Sequence, residues 1–255
     1  MNRQQRNSLP DFRPALFSHL RRAHLWLTRG AVFVFLVCGV AAFGQQTSLP
    51  RATTARPLNE RVADYERAER ESWQKPDEIV KALELKNGDV VADIGAGTGY
   101  FSRRFAKAVA PAGKVYAVDI AADILEFLKK DSEKQNLNNI VLVLSKEDDP
   151  MLPENSVDLA FFSDTTHHIA NRANFYRKMR PGLKKGGLMA IVDFPPDASV
   201  HPHKAEELVP RSQVIAEAEE AGFKLRKEFK FLPRQYFLVF EKTDQEHQTN
   251  QTIPK

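Results

Sequence analysis

Val90-Val91-Ala92-Asp93-Ile94-Gly95-Ala96-Gly97-Thr98-Gly99-Tyr100-Phe101 is the stretch that decides how this chain folds. Val90 to Ile94 is a short apolar run rich in β-branched residues, the composition of a buried strand. Three glycines then alternate with small residues. From Tyr100 to Val109 apolar residues recur at helical spacing, with Arg103, Arg104 and Lys107 between them. The stretch predicts a strand, a tight turn and a helix. Glycine permits positive φ and lets a ligand approach the backbone closely. The unpaired N–H groups at the start of the helix point into the same crevice.

The spacing departs from the dinucleotide fingerprint Gly-x-Gly-x-x-Gly, because Tyr100 stands where the third glycine would fall. Asp93 precedes the turn. Asp119 ends the next apolar run, Val115-Tyr116-Ala117-Val118. A carboxylate at that strand tip can accept from both hydroxyls of a ribose. The turn and Asp119 together predict a nucleoside-containing cofactor. The competing explanation is a plain turn closed by a glycine cap.

Beyond this stretch, strands and helices alternate. Lys114 to Ile120, Ile140 to Leu144, Val157 to Ser163 and Leu188 to Phe194 read as strands. Ala122 to Gln135 and Asn171 to Met179 read as helices, and Pro181-Gly182 with Gly186-Gly187 as loop. Such alternation implies a parallel sheet covered on both faces. Arg211 to Ala221 is a further helix, closed by Gly222. Phe223 to Leu232 and Gln235 to Lys242 are strand-like, with only Pro233-Arg234 between them. So short a link permits a hairpin and excludes a parallel crossover, so the last strand runs against the others. Upstream, Asn59 to Ser72 reads as one helix with a solvated charged face. Pro76, Asp77 and Glu78 open another that Asn87-Gly88 would end.

The chain has 255 residues and a net charge of +4. Six arginines against Asp11 give residues 1–30 a local charge of +5, which leaves −1 for the rest. The basic character belongs to the leader, which counts against nucleic acid as a partner. Cys38 is the only cysteine, so no internal disulfide or cysteine-based metal site exists. Ala31 to Phe43 is an uncharged apolar run behind the arginines, and Ala42-Phe43-Gly44 resembles a cleavage site. Residues 1–44 therefore read as a signal peptide or membrane anchor, with candidate membrane contact through residues 25–43. The run is shorter than the ~20 residues a spanning helix needs. The reading is an exported or anchored protein, with a cytoplasmic one as the alternative. Residues 45–72 read as linker and N-terminal helix, 73–242 as the main domain, and 243–255 as a disordered tail.

The sum resembles the class I S-adenosylmethionine-dependent methyltransferases. Asp93-Ile94-Gly95-Ala96-Gly97-Thr98-Gly99 is similar to that family's first motif, and Asp119 to its ribose acid. Leu152 to Leu159 is similar to the segment entering strand four, and Leu183 to Leu188 to the loop entering strand five. Trp73-Gln74-Lys75-Pro76 and Asp164-Thr165-Thr166-His167-His168 resemble a group of bacterial predicted methyltransferases. The resemblance implies an α/β, Rossmann-like three-layer sandwich with a seven-stranded, mostly parallel sheet and an antiparallel last strand. It implies S-adenosyl-L-methionine as cofactor, held by Asp93, Gly95, Ala96, Gly97, Thr98, Gly99, Tyr100, Asp119 and Ile120, with Trp73 closing over it. An acid after strand three would contact the adenine. Here Ser145-Lys146-Glu147-Asp148-Asp149 replaces the usual Gly-Asp-Ala, which leaves Glu147 or Asp148 for that place.

Methyl transfer is an in-line displacement that needs alignment, and a base only where the acceptor must lose a proton. His168, His167 and Asp164 follow the fourth strand at the ligand-binding edge and are the catalytic candidates. A packing role for one histidine is the dull alternative. His201-Pro202-His203 suits a metal shared with Asp193 or Asp164, but exposed histidines are commoner on such loops, and no metal is expected. The expected activity is methyl transfer to a small-molecule acceptor. The competing readings are an exported nucleotide-binding protein without catalysis and an NAD-dependent oxidoreductase.

Overall fold

Alternation of side chains along the strands builds two cores, one on each face of a single sheet. The computed structural model describes residues 56–197 and 205–243. Three helices come first: α1 (Leu58–Tyr65), α2 (Arg70–Gln74) and α3 (Pro76–Ala82). Then follow β1 (Val90–Ile94), α4 (Ser102–Ala108), β2 (Lys114–Asp119), α5 (Ala122–Lys134) and β3 (Ile140–Leu144). The second half holds β4 (Val157–Ser163), α6 (Arg172–Met179), β5 (Leu183–Asp193), α7 (Arg211–Glu220), β6 (Phe223–Phe229) and β7 (Tyr236–Lys242). The leader at residues 1–44, the linker to residue 55, His201, His203, and the tail beyond Thr243 lie outside the described residues. No helix among the described residues is long and apolar enough to cross a membrane.

The strand order is β3-β2-β1-β4-β5-β7-β6. β7 is antiparallel to β5 and β6, and the other pairs are parallel. The three-layer sandwich with a reversed final strand is therefore as the sequence predicts. The chain steps outward from β1 to β3, then returns to the other side of β1 as β4. That reversal opens a crevice at the carboxyl ends of β1 and β4, where open α/β sheets bind ligands.

Successive strand residues feed opposite cores. Ala160, Phe162, Met189 and Ile191 pack with Phe175 and Tyr176 of α6 and Val214 of α7. Leu159, Phe161, Ala190 and Val192 pack on the other face with Ile79 of α3 and Phe105 of α4. Local signals place the helices. Pro76 occupies the first turn of α3, and the Asn171 side chain accepts from the Asn174 N–H to start α6.

Four elements differ from the sequence reading. α3 ends at Ala82, short of the Asn87-Gly88 expected to stop it. The single helix expected over Asn59–Ser72 is two, broken at Glu66 to Glu69, and its charged face is solvated only in part: Glu60, Arg67, Glu69 and Glu71 are exposed, but Arg61 is 3% exposed. The fifth strand begins five residues earlier, at Leu183, and a register shift against β4 absorbs the glycine pair. β6 ends at Phe229, so Lys230 to Gln235 makes the hairpin link.

Phe161 is fully buried, with its ring 4.8 Å from that of Phe101 and 4.9 Å from that of Phe105. Phe161→Ala should lower unfolding free energy by about 3–5 kcal/mol, measured by urea titration.

Candidate active site

Three left-handed glycines make the turn after β1: Gly95 (φ 73°), Gly97 (φ 53°) and Gly99 (φ 86°). A Cβ on Gly95 would collide with Thr165, and one on Gly99 with Leu128, so space as well as φ demands glycine there. Gly95 and Ala96 donate to the Val118 carbonyl at 2.8 and 3.0 Å. Gly97 N–H donates to Asp119 Oδ2 and Ala121 N–H to Asp119 Oδ1, both at 2.9 Å. The carboxylate is thus fixed at the tip of β2, and each oxygen retains capacity for a hydroxyl donor. Burial raises the Asp119 pKa, against the bonds from Ala121 and Gly97. Ile120 beside it is 45% exposed, an apolar side chain open at the crevice rim.

Asp93 is buried under the turn and accepts from Ser102 Oγ at 2.6 Å. Burial pushes its pKa up to about 7, with Ser102 opposing. Ala96 and Thr98 are buried within the turn.

The N-terminal helices form a wall over this turn. Tyr65 lies against Gly97, where a Cβ would stand 3.2 Å from Tyr65 Cδ2. Arg61 pairs with Asp123 in the first turn of α5. Arg103 grips Glu66 with two bonds of 2.8 and 2.7 Å and donates to the Thr98 carbonyl at 2.7 Å. Arg70 donates to Gln74 Oε1 at 2.8 Å and to the Tyr65 carbonyl at 2.6 Å. Its guanidinium sits 4.0 Å from the Tyr100 ring centre. Tyr100 faces α2, where its hydroxyl donates to Glu71 at 2.9 Å.

The other side of the crevice follows β4 and β5. Asp164 is left-handed (φ 55°) and leads into a short 3-10 turn, Thr166–His168. His167 Nδ1 lies 2.9 Å from Asp193 Oδ1, with both side chains almost fully buried. Asp193 also accepts from the backbone N–H of Phe194 at 2.8 Å. Burial works against a charged His167, but the hydrogen bond to Asp193 and the charges of Asp193, Asp164 and Glu207 outweigh it and raise its pKa. The His168 ring centre is 4.1 Å from that of His167. Gln74 Nε2 donates to Ser163 Oγ at 3.0 Å and to Gln235 Oε1 at 3.1 Å, and Gln235 Nε2 donates to Asp164 Oδ1 at 3.4 Å. Trp73 packs on Phe194 of this side, 5.4 Å between ring centres.

Ligand atoms of Asp164, His167 and Asp193 lie within 4.8 Å of one another. A cation there would require a neutral imidazole. The Asp193 bond favours the imidazolium instead, so the trio reads as a histidine–carboxylate pair with a second acid beside it.

Of the two acids after β3, Glu147 is exposed and Asp148 pairs with Lys178, a bond that lowers its pKa. Sequence reasoning missed Tyr65, Arg70 and Gln235. Tyr65 and Arg70 sit in a run dense in charge, where an inward residue looks like a solvated one. Gln74 stood in the quoted Trp-Gln-x-Pro segment, but nothing in that segment marks its amide as buried.

The sheet order, the reversed strand and the glycine turn tied to an acid on the next strand define the fold of class I S-adenosylmethionine-dependent methyltransferases. A family model described as a methyltransferase domain matches residues 85–244, and the chain belongs to that family. It is 29% identical over 125 residues to a protein-L-isoaspartate O-methyltransferase of Aeropyrum pernix, covering 48% of this chain and 45% of that one. It is 27% identical over 111 residues to a ubiquinone/menaquinone biosynthesis C-methyltransferase of Hahella chejuensis, covering 43% and 45%. The matches thus span less than half the length of these two curated relatives. A solved S-adenosylmethionine-dependent methyltransferase from Aquifex aeolicus shares the fold with a TM-score of 0.68 at 23% identity, over 73% of this chain and 98% of that one.

Asp93 makes stability depend on pH. Its folded pKa of about 7 lies above the ordinary 3.8. Between these values the native state keeps the proton and the unfolded chain loses it, so stability falls as pH rises through the window. The full swing is on the order of 4 kcal/mol. Asp93→Asn should flatten the slope between about pH 4 and pH 8, read by urea unfolding of the ligand-free protein.

Proposed function

We propose that this protein transfers the methyl group of S-adenosyl-L-methionine to a small acceptor that loses a proton as it is methylated. The observation that carries the reading is the Asp119 carboxylate, locked by Gly97 and Ala121 N–H groups at the strand tip. The fit is supported by the exposed backbone of Gly95 and by the open Ile120 side chain. Asp119 would accept from the ribose hydroxyls, Ile120 would cover the adenine, and Asp93 would face the amino-acid end. When bound, the cofactor supplies a methyl group already activated by a sulfonium.

His167 acts on the acceptor. Asp193 holds its Nδ1 and fixes the tautomer, so Nε2 is the nitrogen that receives the acceptor proton. Asp193 also stabilises the imidazolium that results. Asp164 and Gln235 orient the loop, and Trp73 with Phe194 supplies an apolar wall. The His167 side chain is 2% exposed, so the reacting group must be inserted beside it, which favours a small molecule. The curated relatives methylate different acceptors, so neither transfers its own substrate to this chain. The arginine-led apolar run at residues 31–43 supports export or membrane anchoring of the domain.

Titration with S-adenosylhomocysteine tests the cofactor. The protein should bind it in preference to NAD, and Asp119→Ala should weaken binding at least about tenfold, the loss of charge-assisted hydrogen bonds. Failure to bind would end the transferase reading. For the base, radiolabelled methyl transfer to a panel of phenols, quinols and amines would supply an acceptor. The kcat/KM profile should rise with pH through a midpoint above the ordinary 6.5 of histidine. Asp193→Asn should move that midpoint down, and His167→Gln should cut kcat by about 10²–10⁴-fold. An unmoved profile would remove His167 from the chemistry.

A further inference from the structure

The two edges of the sheet are built differently. β6 carries Lys224, Arg226 and Lys227, all exposed, and a register shift against β7 between Leu225 and Lys227. Charge and a bulge are devices that keep an edge strand from pairing with another chain. β3 has neither. It is five apolar residues, Ile140-Val141-Leu142-Val143-Leu144, in unbroken register with β2. Val141 and Leu144 are 40% and 47% exposed. The other parallel crossovers each carry a helix, but β3 reaches β4 through residues 145–156 without one. Among the described residues only β2 pairs with β3.

The hydrogen bonds to β2 show which backbone groups stay open. Val115 N–H donates to the Asn139 carbonyl at 2.9 Å, and Ser145 N–H donates to the Asp119 carbonyl at 3.0 Å. Backbone groups alternate sides along a strand, so the odd-numbered residues face β2. Ile140, Leu142 and Leu144 each point an N–H and a C=O away from the sheet. A second β3 laid antiparallel, with Leu142 on a two-fold axis, would bond all three. Ile140 then faces Leu144, Val141 faces Val143, and Leu142 faces Leu142. The strand matches its own reverse in side-chain size, as an isologous contact requires.

Charge favours the antiparallel sense. Lys129 and Lys134 at the end of α5 are exposed where the chain approaches β3, and Glu147 is exposed just past the end of the strand. Among the described residues none of the three forms an ion pair. An antiparallel joint sets each Glu147 toward the lysines of the other copy, whereas a parallel joint sets like charges together.

We propose that β3 is the contact between two copies of this chain, joined edge to edge into one continuous sheet. Five-residue strands make a small joint, so the dimer forms in a concentration-dependent way.

The test is sedimentation velocity of the full chain in mild detergent, from about 1 to 100 μM. The sedimentation coefficient should rise with concentration from monomer toward dimer. V141K, at an exposed position, should keep the native circular dichroism and stay monomeric throughout. A wild-type monomer at every concentration, or a dimer that V141K leaves intact, would overturn the proposal. Thiol trapping reads the same contact without relying on V141K. L142C, made with Cys38 replaced by serine, should form a dimer-sized disulfide under mild oxidation, because a hydrogen-bonded antiparallel pair holds its Cα atoms about 5.5 Å apart. K224C on β6, in the same background, should form none. Absence of the L142C dimer would overturn the proposal. So would an intrachain disulfide between position 142 and a retained Cys38, which would put the leader on this edge instead.

Discussion

The carboxylate of Asp119 is the joint on which the crevice depends. Its two oxygens take N–H groups from the glycine turn and from the residue before α5. One side chain thus ties the loop after β1 to the loop after β2. The turn needs such a tie, because three left-handed glycines carry little intrinsic preference for one shape. Val118 supplies the rest by accepting from Gly95 and Ala96. On the opposite side Thr165 fills the space a Gly95 side chain would claim, so the loop after β4 closes against the same turn. The switch point between β1 and β4 is therefore a set of interlocked backbones and not an empty gap.

Electrostatics divides the crevice in two. Asp93 and Asp119 gather under the glycine turn, both disfavoured as anions by burial. Asp164 and Asp193 gather at the ends of β4 and β5, where His167 shares the charge. Cations reach the turn from α4, whose Arg103 donates to the Thr98 carbonyl, and from the N-terminal helices, where Arg61 pairs with Asp123 and Arg70 lies over Tyr100. A ligand that binds the folded crevice and not the unfolded chain would stabilise the fold.

The N-terminal helices join both halves. α1 covers the turn through Tyr65, and α2 sends Gln74 to Ser163 and Gln235 on the far side. A single Arg103 nitrogen that bonds both Glu66 oxygens holds this segment to α4. The two sides of the crevice therefore share a wall made by residues 58–74, outside the region matched by the family model. Specificity in such folds resides in additions of this kind more than in the sheet.

Local sequence by itself determined the strands, the turn and the direction of the last strand. Val90 to Gly99 codes for a strand and bend through composition and φ, and the short link near Pro233 leaves room only for a hairpin. Asp119 was legible because strand tips in a parallel sheet line up on one edge. What only the tertiary structure decided is which charged residues turn inward. Arg61, Arg70 and Arg103 lie among similar residues, and a helix rich in Arg and Glu has no preferred face until something packs on it. The break at Glu66 to Glu69 sets those faces, and no pattern in the sequence marks it. Likewise, that Asp193 and not Asp164 holds His167 follows from β5 lying beside β4, a neighbour relation that exists only once the sheet has formed.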